Sequence, residues 1–104
     1  MATPEKKVKD AVKKLLDGYK TKGGKLWYFM PPANGYGAFG TPDFVGCYNG
    51  LFFAVETKAP KGTVTKLQQL VHSKIDDAGG IVFVVYGDDL AELGNWLDEN
   101  YVWA

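Results

Sequence analysis

Asn49-Gly50 separates two apolar runs, residues 43–48 and 51–58, and constrains the fold more than any other feature of the chain. An Asn-Gly pair between strand-forming segments predicts a two-residue hairpin, because a type I′ turn needs left-handed backbone at both central positions. Such a turn also fixes the register. With Tyr48 opposite Leu51, the ladder sets Asp43 directly across from Glu56, and Lys58 projects from the same face two residues further on. Directly opposed side chains have Cβ atoms roughly 4.5–5.5 Å apart, a separation at which like charges destabilise the pair. Val45, Cys47, Phe52 and Ala54 complete that face, so the charges are expected at the margin of a core. Cys47 is expected there as a small buried hydrophobe. Two readings of the cluster stay open. A divalent cation could offset the repulsion, since Mg²⁺ is commonly held by one or two carboxylates, or Lys58 alone could neutralise the pair as a structural ion-pair cluster.

The remaining elements follow from periodicity. Thr3-Pro4-Glu5 reads as a helix start, with an N-cap hydroxyl, a first-turn proline and an acid. Val8, Val12, Leu15 and Leu16 then recur at helical spacing up to Gly18, which is expected to close the helix. Residues 26–30 form a short strand, and 31–42 a loop rich in Pro, Gly and Asn. Residues 64–78 predict a second helix with Val64, Leu67, Val71, Ile75 and Ala78 on one face, ended by Gly79-Gly80. Residues 81–86 have the unbroken apolar character of a central strand covered on both faces. Residues 88–99 form a third helix carrying Leu90, Leu93, Trp96 and Leu97. The order is α-β-β-β-α-β-α in one domain over residues 1–104, an α/β fold with a mixed central sheet flanked by helices.

Of the chain's residues, 46% are hydrophobic and 14% aromatic, which fits a packed domain rather than a disordered segment. No apolar run approaches the roughly 20 residues that span a bilayer, and the charged N-terminus lacks a signal-peptide core. A single cysteine fits a reducing compartment, and a cytoplasmic location is expected. The formal net charge of zero conceals a polarity. Residues 1–25 hold eight lysines against three acids, whereas residues 76–104 hold seven acids and no lysine. A basic first half suits a phosphate backbone, and a solvated lysine face would look the same. With no arginine, bidentate reading of guanine is excluded, so any nucleic acid would be held by its backbone and shape.

Pro42-Asp43, then Glu56-Thr57-Lys58 after twelve intervening residues, resembles the PD-(D/E)XK motif of the restriction-endonuclease-like superfamily. The longer series is Gly40-Thr41-Pro42-Asp43, Phe53 through Pro60, Thr65-Lys66-Leu67-Gln68 and Ala78-Gly79-Gly80. It resembles the VRR-NUC branch over roughly residues 5–86. The resemblance implies a restriction-endonuclease-like core and a DNA endonuclease dependent on Mg²⁺ or Mn²⁺. Asp43 and Glu56 would be metal-binding carboxylates, the Thr57 carbonyl a further ligand, and Lys58 the group that orients or activates the attacking water. Glu5 would match an N-terminal glutamate that contributes to the metal site, although favourable charge at a helix N-terminus explains it equally well. Gln68 would face the site, but Thr65-x-x-Gln68 is also a capping box. His72 follows one turn later and is expected as a partly exposed surface histidine. Stand-alone members of the branch resemble homodimeric nucleases of branched DNA, such as four-way junctions or flaps, and are often viral, which would put them in the host cytoplasm.

Lys6, Lys9, Lys13, Lys61, Lys66 and Tyr36 are the candidate DNA contacts. Gly35-Tyr36-Gly37-Ala38-Phe39-Gly40 satisfies G-x-G-x-x-G, but Thr41-Pro42 and a hairpin follow where the dinucleotide cradle needs a helix, so no nucleotide cofactor is expected. Tyr101 and Trp103 suggest that the C-terminus docks on the domain or on a second subunit. The alternative to an enzyme is a non-catalytic DNA-binding or assembly module on the same fold. A hydrolase of another substrate ranks below both.

Overall fold

The structure, a computed structural model, describes residues 3–32 and 40–101. It contains α1 (Pro4–Thr21), β1 (Leu26–Phe29), β2 (Phe44–Tyr48), β3 (Leu51–Lys58), α2 (Lys66–Asp77), β4 (Ile81–Tyr86) and α3 (Ala91–Glu99), in the expected order. One mixed sheet runs β1-β2-β3-β4. The first three strands are antiparallel neighbours, and β4 joins β3 in parallel after the α2 crossover. No helix among the described residues is long and apolar enough to cross a membrane.

The hairpin forms as its turn demands. Asn49 has φ 51° and Gly50 φ 83°, and Tyr48 pairs with Leu51 through to Phe44 with Val55. Asp43, however, lies in a bend just before β2 rather than within it.

Pleat alternation along β3 sorts the molecule into two unequal sides. Phe53, Val55 and Thr57 are fully buried. The first two join Phe44, Tyr48, Phe83 and Val85 in a core closed by Val8, Val12, Leu16 and Tyr19 of α1 and Leu93 and Leu97 of α3. Trp96 packs against Tyr48, Phe53 and Phe83 with ring centroids 5.2–5.6 Å apart, and the Tyr48 hydroxyl donates to the Leu97 carbonyl at 2.8 Å. The opposite side carries Ala54, Glu56 and Lys58 and meets α2. The charged cluster therefore lies under α2, not at the margin of the main core.

Several expectations are corrected here. Cys47 is exposed, because its face of β2 is the one opposite the core. Trp27, its neighbour across the β1–β2 ladder, is 62% exposed. β4 is covered by helices on both faces as expected, but it lies at the sheet edge among the described strands, and β2 and β3 are the interior ones. Gly18 does not end α1. The helix continues to Thr21, which brings Tyr19 into the core, and Gly23 at φ 83° takes the left-handed position after the cap. Val64 precedes α2, Leu67 is exposed, and α2 buries no residue at all. α3 starts at Ala91, three residues later than expected; its N-cap residue Leu90 makes no side-chain hydrogen bond, and Asp89 Oδ1 accepts from the Ala91 N–H at 3.3 Å instead. Tyr101 docks on its own domain: its ring meets Tyr19 edge-on and its hydroxyl donates to the Lys22 carbonyl at 2.6 Å. Tyr36 and Trp103 lie outside the described residues.

Candidate functional site

Glu56 is the unusual residue of this fold, a carboxylate only 2% exposed in the middle of a sheet. Burying a charge is costly unless partners hold it. Burial, then the charge of Asp43 and a hydrogen bond with it, push the Glu56 carboxyl up to about 8. Lys58 pulls in the opposite direction, and Glu5 adds a smaller upward push. The repulsion foreseen from the hairpin register is thus present, and Lys58 does not cancel it.

Asp43 is held differently from a residue in a ladder. Its Oδ2 accepts from the Thr57 backbone N–H at 2.8 Å and from the Thr57 hydroxyl at 2.6 Å. Its Oδ1 lies 3.5 Å from Lys9 Nζ of α1. The bend before β2 therefore ties the Asp43 carboxylate to the neighbouring strand at Thr57 while leaving it within electrostatic reach of Glu56.

α2 supplies two further partners of Glu56. Gln68 Nε2 donates to Oε2 at 3.2 Å, and His72 Nε2 lies 3.4 Å from Oε1. Burial and then the Lys58 charge hold the His72 imidazole below the usual histidine range; a neutral imidazole carries a single N–H that it can donate. Gln68 fulfils both of its open readings together. Its Oε1 accepts from the Thr65 backbone N–H at 2.9 Å in a complete capping box, and its Nε2 remains for Glu56.

The start of α2 is also pressed against the segment leading to Asp43. Gly40 has φ 85°, and a Cβ added there would lie 2.5 Å from the Leu67 carbonyl oxygen and 3.0 Å from the Gln68 nitrogen. Both facts require glycine. Gly40→Ala is expected to cost about 1–3 kcal/mol from backbone strain and overpacking and to displace Gln68 from Glu56. Denaturant unfolding and cleavage assays on the same preparation check this; unchanged values in both would refute the packing role.

The structure thus brings together Asp43, Glu56, Thr57 and Gln68, and it adds Lys9 and His72 as partners that sequence reasoning did not assign there. Glu5 is exposed on the first turn of α1. Among the described residues no group of three or more His, Cys, Asp or Glu is placed to hold a metal ion, so the candidate donor set is two carboxylates. Lys6 and Lys13 form exposed i,i+4 pairs with Asp10 and Asp17, and Lys61 and Lys66 are exposed. No protein-family model matches this chain, and no curated protein matches it.

Hard oxygen donors on two adjacent carboxylates suit Mg²⁺ or Mn²⁺, which take one or two carboxylates and fill the remaining positions with water and substrate oxygens. The suppressed ionisation of Glu56 supports the fit, since a divalent cation would supply the charge that Lys58 does not.

Proposed function

We propose that this domain is a Mg²⁺- or Mn²⁺-dependent DNA endonuclease with a restriction-endonuclease-like core, acting in the cytoplasm as a VRR-NUC-type enzyme. The observation that carries the reading is the buried Glu56 carboxyl held beside Asp43, with Lys58 two residues on. A purely structural cluster has little reason to keep such a costly pair.

Asp43 and Glu56 would hold the cation, with the Thr57 carbonyl as a further ligand and Glu5 as an outer contributor. When bound, the cation polarises the phosphate and lowers the pKa of a water. The protein's own residues do the rest. Thr57 and Lys9 fix the Asp43 carboxylate, and Gln68 fixes that of Glu56. Lys58 orients the attacking water, and its ammonium stabilises the negative charge that grows on the phosphate oxygens as the leaving P–O bond breaks. Lys6, Lys9, Lys13, Lys61 and Lys66 supply charge for the backbone, a contribution that salt weakens. Branched DNA is the favoured substrate and a homodimer the favoured assembly. The dimer is supported by β1, a sheet edge among the described strands that carries exposed Trp27 and Phe29.

The test compares wild type with Asp43→Ala, Glu56→Ala and Lys58→Ala on linear, flap and four-way DNA with Mg²⁺ or Mn²⁺. Cleavage of at least one substrate by wild type, lost in the variants, is the expected outcome. Wild type that cuts none of them, or variants that cut equally well, would sink the proposal.

One observation favours the non-catalytic DNA-binding alternative. Each oxygen of both carboxylates already has a protein partner within 3.5 Å. Calorimetry separates the two readings: an enzyme takes up Mn²⁺, whereas a binding module shows salt-dependent DNA affinity and no metal uptake.

A further inference from the structure

His72 is the chain's single histidine, and the hairpin chemistry does not require it. Its side chain is 15% exposed, with Nε2 3.4 Å from Glu56 Oε1. Gln68, one helical turn earlier, donates to the other oxygen of the same carboxylate. Residues four apart share a helix face, so α2 grips Glu56 at two points from one face. We propose that His72 is a positioning residue that sets the orientation of the Glu56 carboxylate for a divalent cation; this rests on the nuclease reading above.

The two contacts differ in freedom, and that difference gives His72 its importance. The Gln68 amide is committed at its other end to the Thr65 backbone, and Gly40 packs against the same turn. Gln68 therefore fixes one oxygen of Glu56 with little freedom of its own. A carboxylate held at one oxygen still turns about its terminal torsion, which is broad for glutamate. A second donor on the other oxygen removes that freedom. An imidazole suits the task because its ring nitrogen reaches Oε1 from the same helix face as Gln68 and, unlike an ammonium, can donate an N–H as a neutral group. A lysine in its place would repel the incoming metal.

Partners that orient a metal-binding carboxylate without touching the metal commonly contribute about 10- to 100-fold in metal affinity. The test uses three variants of the full chain. His72→Gln keeps a donor nitrogen at the same depth as Nε2, His72→Asn places one too close to the backbone, and His72→Leu removes it. Mn²⁺ binding is read by calorimetry, and the denaturation midpoint of each variant is measured alongside. The expected result is an affinity loss of about 10-fold or more for His72→Leu and His72→Asn. His72→Gln is expected to recover most of it, with all three midpoints close to wild type. A purely structural role would follow the midpoint rather than the position of the donor.

Equal Mn²⁺ affinity in wild type and His72→Leu overturns the positioning role and leaves the nuclease reading intact. Equal losses for His72→Gln, His72→Asn and His72→Leu also overturn it, because donor position would then be irrelevant. Wild type that takes up no Mn²⁺ overturns the nuclease reading, and the role of His72 falls with it.

Discussion

Glu56→Gln is expected to abolish cleavage while leaving the domain at least as stable as wild type. The loss should be on the order of 100- to 1000-fold, the scale that follows removal of one electrostatic contributor to a transition state. The fold should survive because glutamine keeps the shape of the side chain and needs no ionisation in a site that is 2% exposed. Its amide oxygen can accept from Gln68. Its NH₂ group can donate to His72, which as a neutral ring has a tautomer with an accepting Nε2. Opposite movement of activity and stability in one variant is characteristic of a residue kept for function at a cost to the fold. Cleavage kinetics and chemical denaturation on the same sample provide the check, and an active Glu56→Gln would remove Glu56 from the chemistry.

The second large effect is on stability and needs no substrate. The Glu56 carboxyl ionises near 8 in the folded chain against a reference of 4.5. Between those values the folded state binds more protons than the unfolded one, so stability falls as pH rises through that window. Stability from this group is fully present below about pH 4.5 and lost by about pH 8. Each pH unit of separation is worth about 1.4 kcal/mol. The loss therefore amounts to a few kcal/mol, a large share for a small domain. Denaturation of metal-free protein from pH 5 to 9 should show the decline, and Glu56→Gln should flatten it. Adding Mn²⁺ at pH 8 should restore stability, since a ligand that binds only the folded state stabilises it by mass action. A metal-free wild type as stable at pH 8 as at pH 5 would contradict the burial argument.

What the sequence made legible was local. The Asn49-Gly50 turn determines its own strand register, so the pairing from Tyr48–Leu51 to Phe44–Val55 could be read without any knowledge of the rest. Thr3 and Thr65 announce their helices by capping chemistry, and both caps form. The errors concern which side of an element meets which neighbour. β3 looks half-polar because it ends in Glu-Thr-Lys, yet it is an interior strand, and the uniformly apolar β4 sits at the edge among the described strands. A parallel edge strand covered by helices has the same composition as a central one. The partners of the candidate site were hidden for the same reason. His72 is 16 residues from Glu56 and Thr57 is 14 from Asp43. Their contacts depend on where the crossover lays α2 and on the bend at Asp43, and no periodicity encodes either one. Gln68 could be read both ways because the one side chain does both jobs.

The lack of any buried residue in α2 has a consequence for motion. A helix attached by half-buried side chains, the Gly40 contact and two polar bonds to Glu56 should undock at far lower free energy than the sheet beneath it. Its amide protons should exchange with solvent well before those of β3. Each excursion would withdraw Gln68 and His72 from Glu56 in a single event. The candidate site then exists only while the helix is seated, and the fraction of time it is competent equals the closed population of α2.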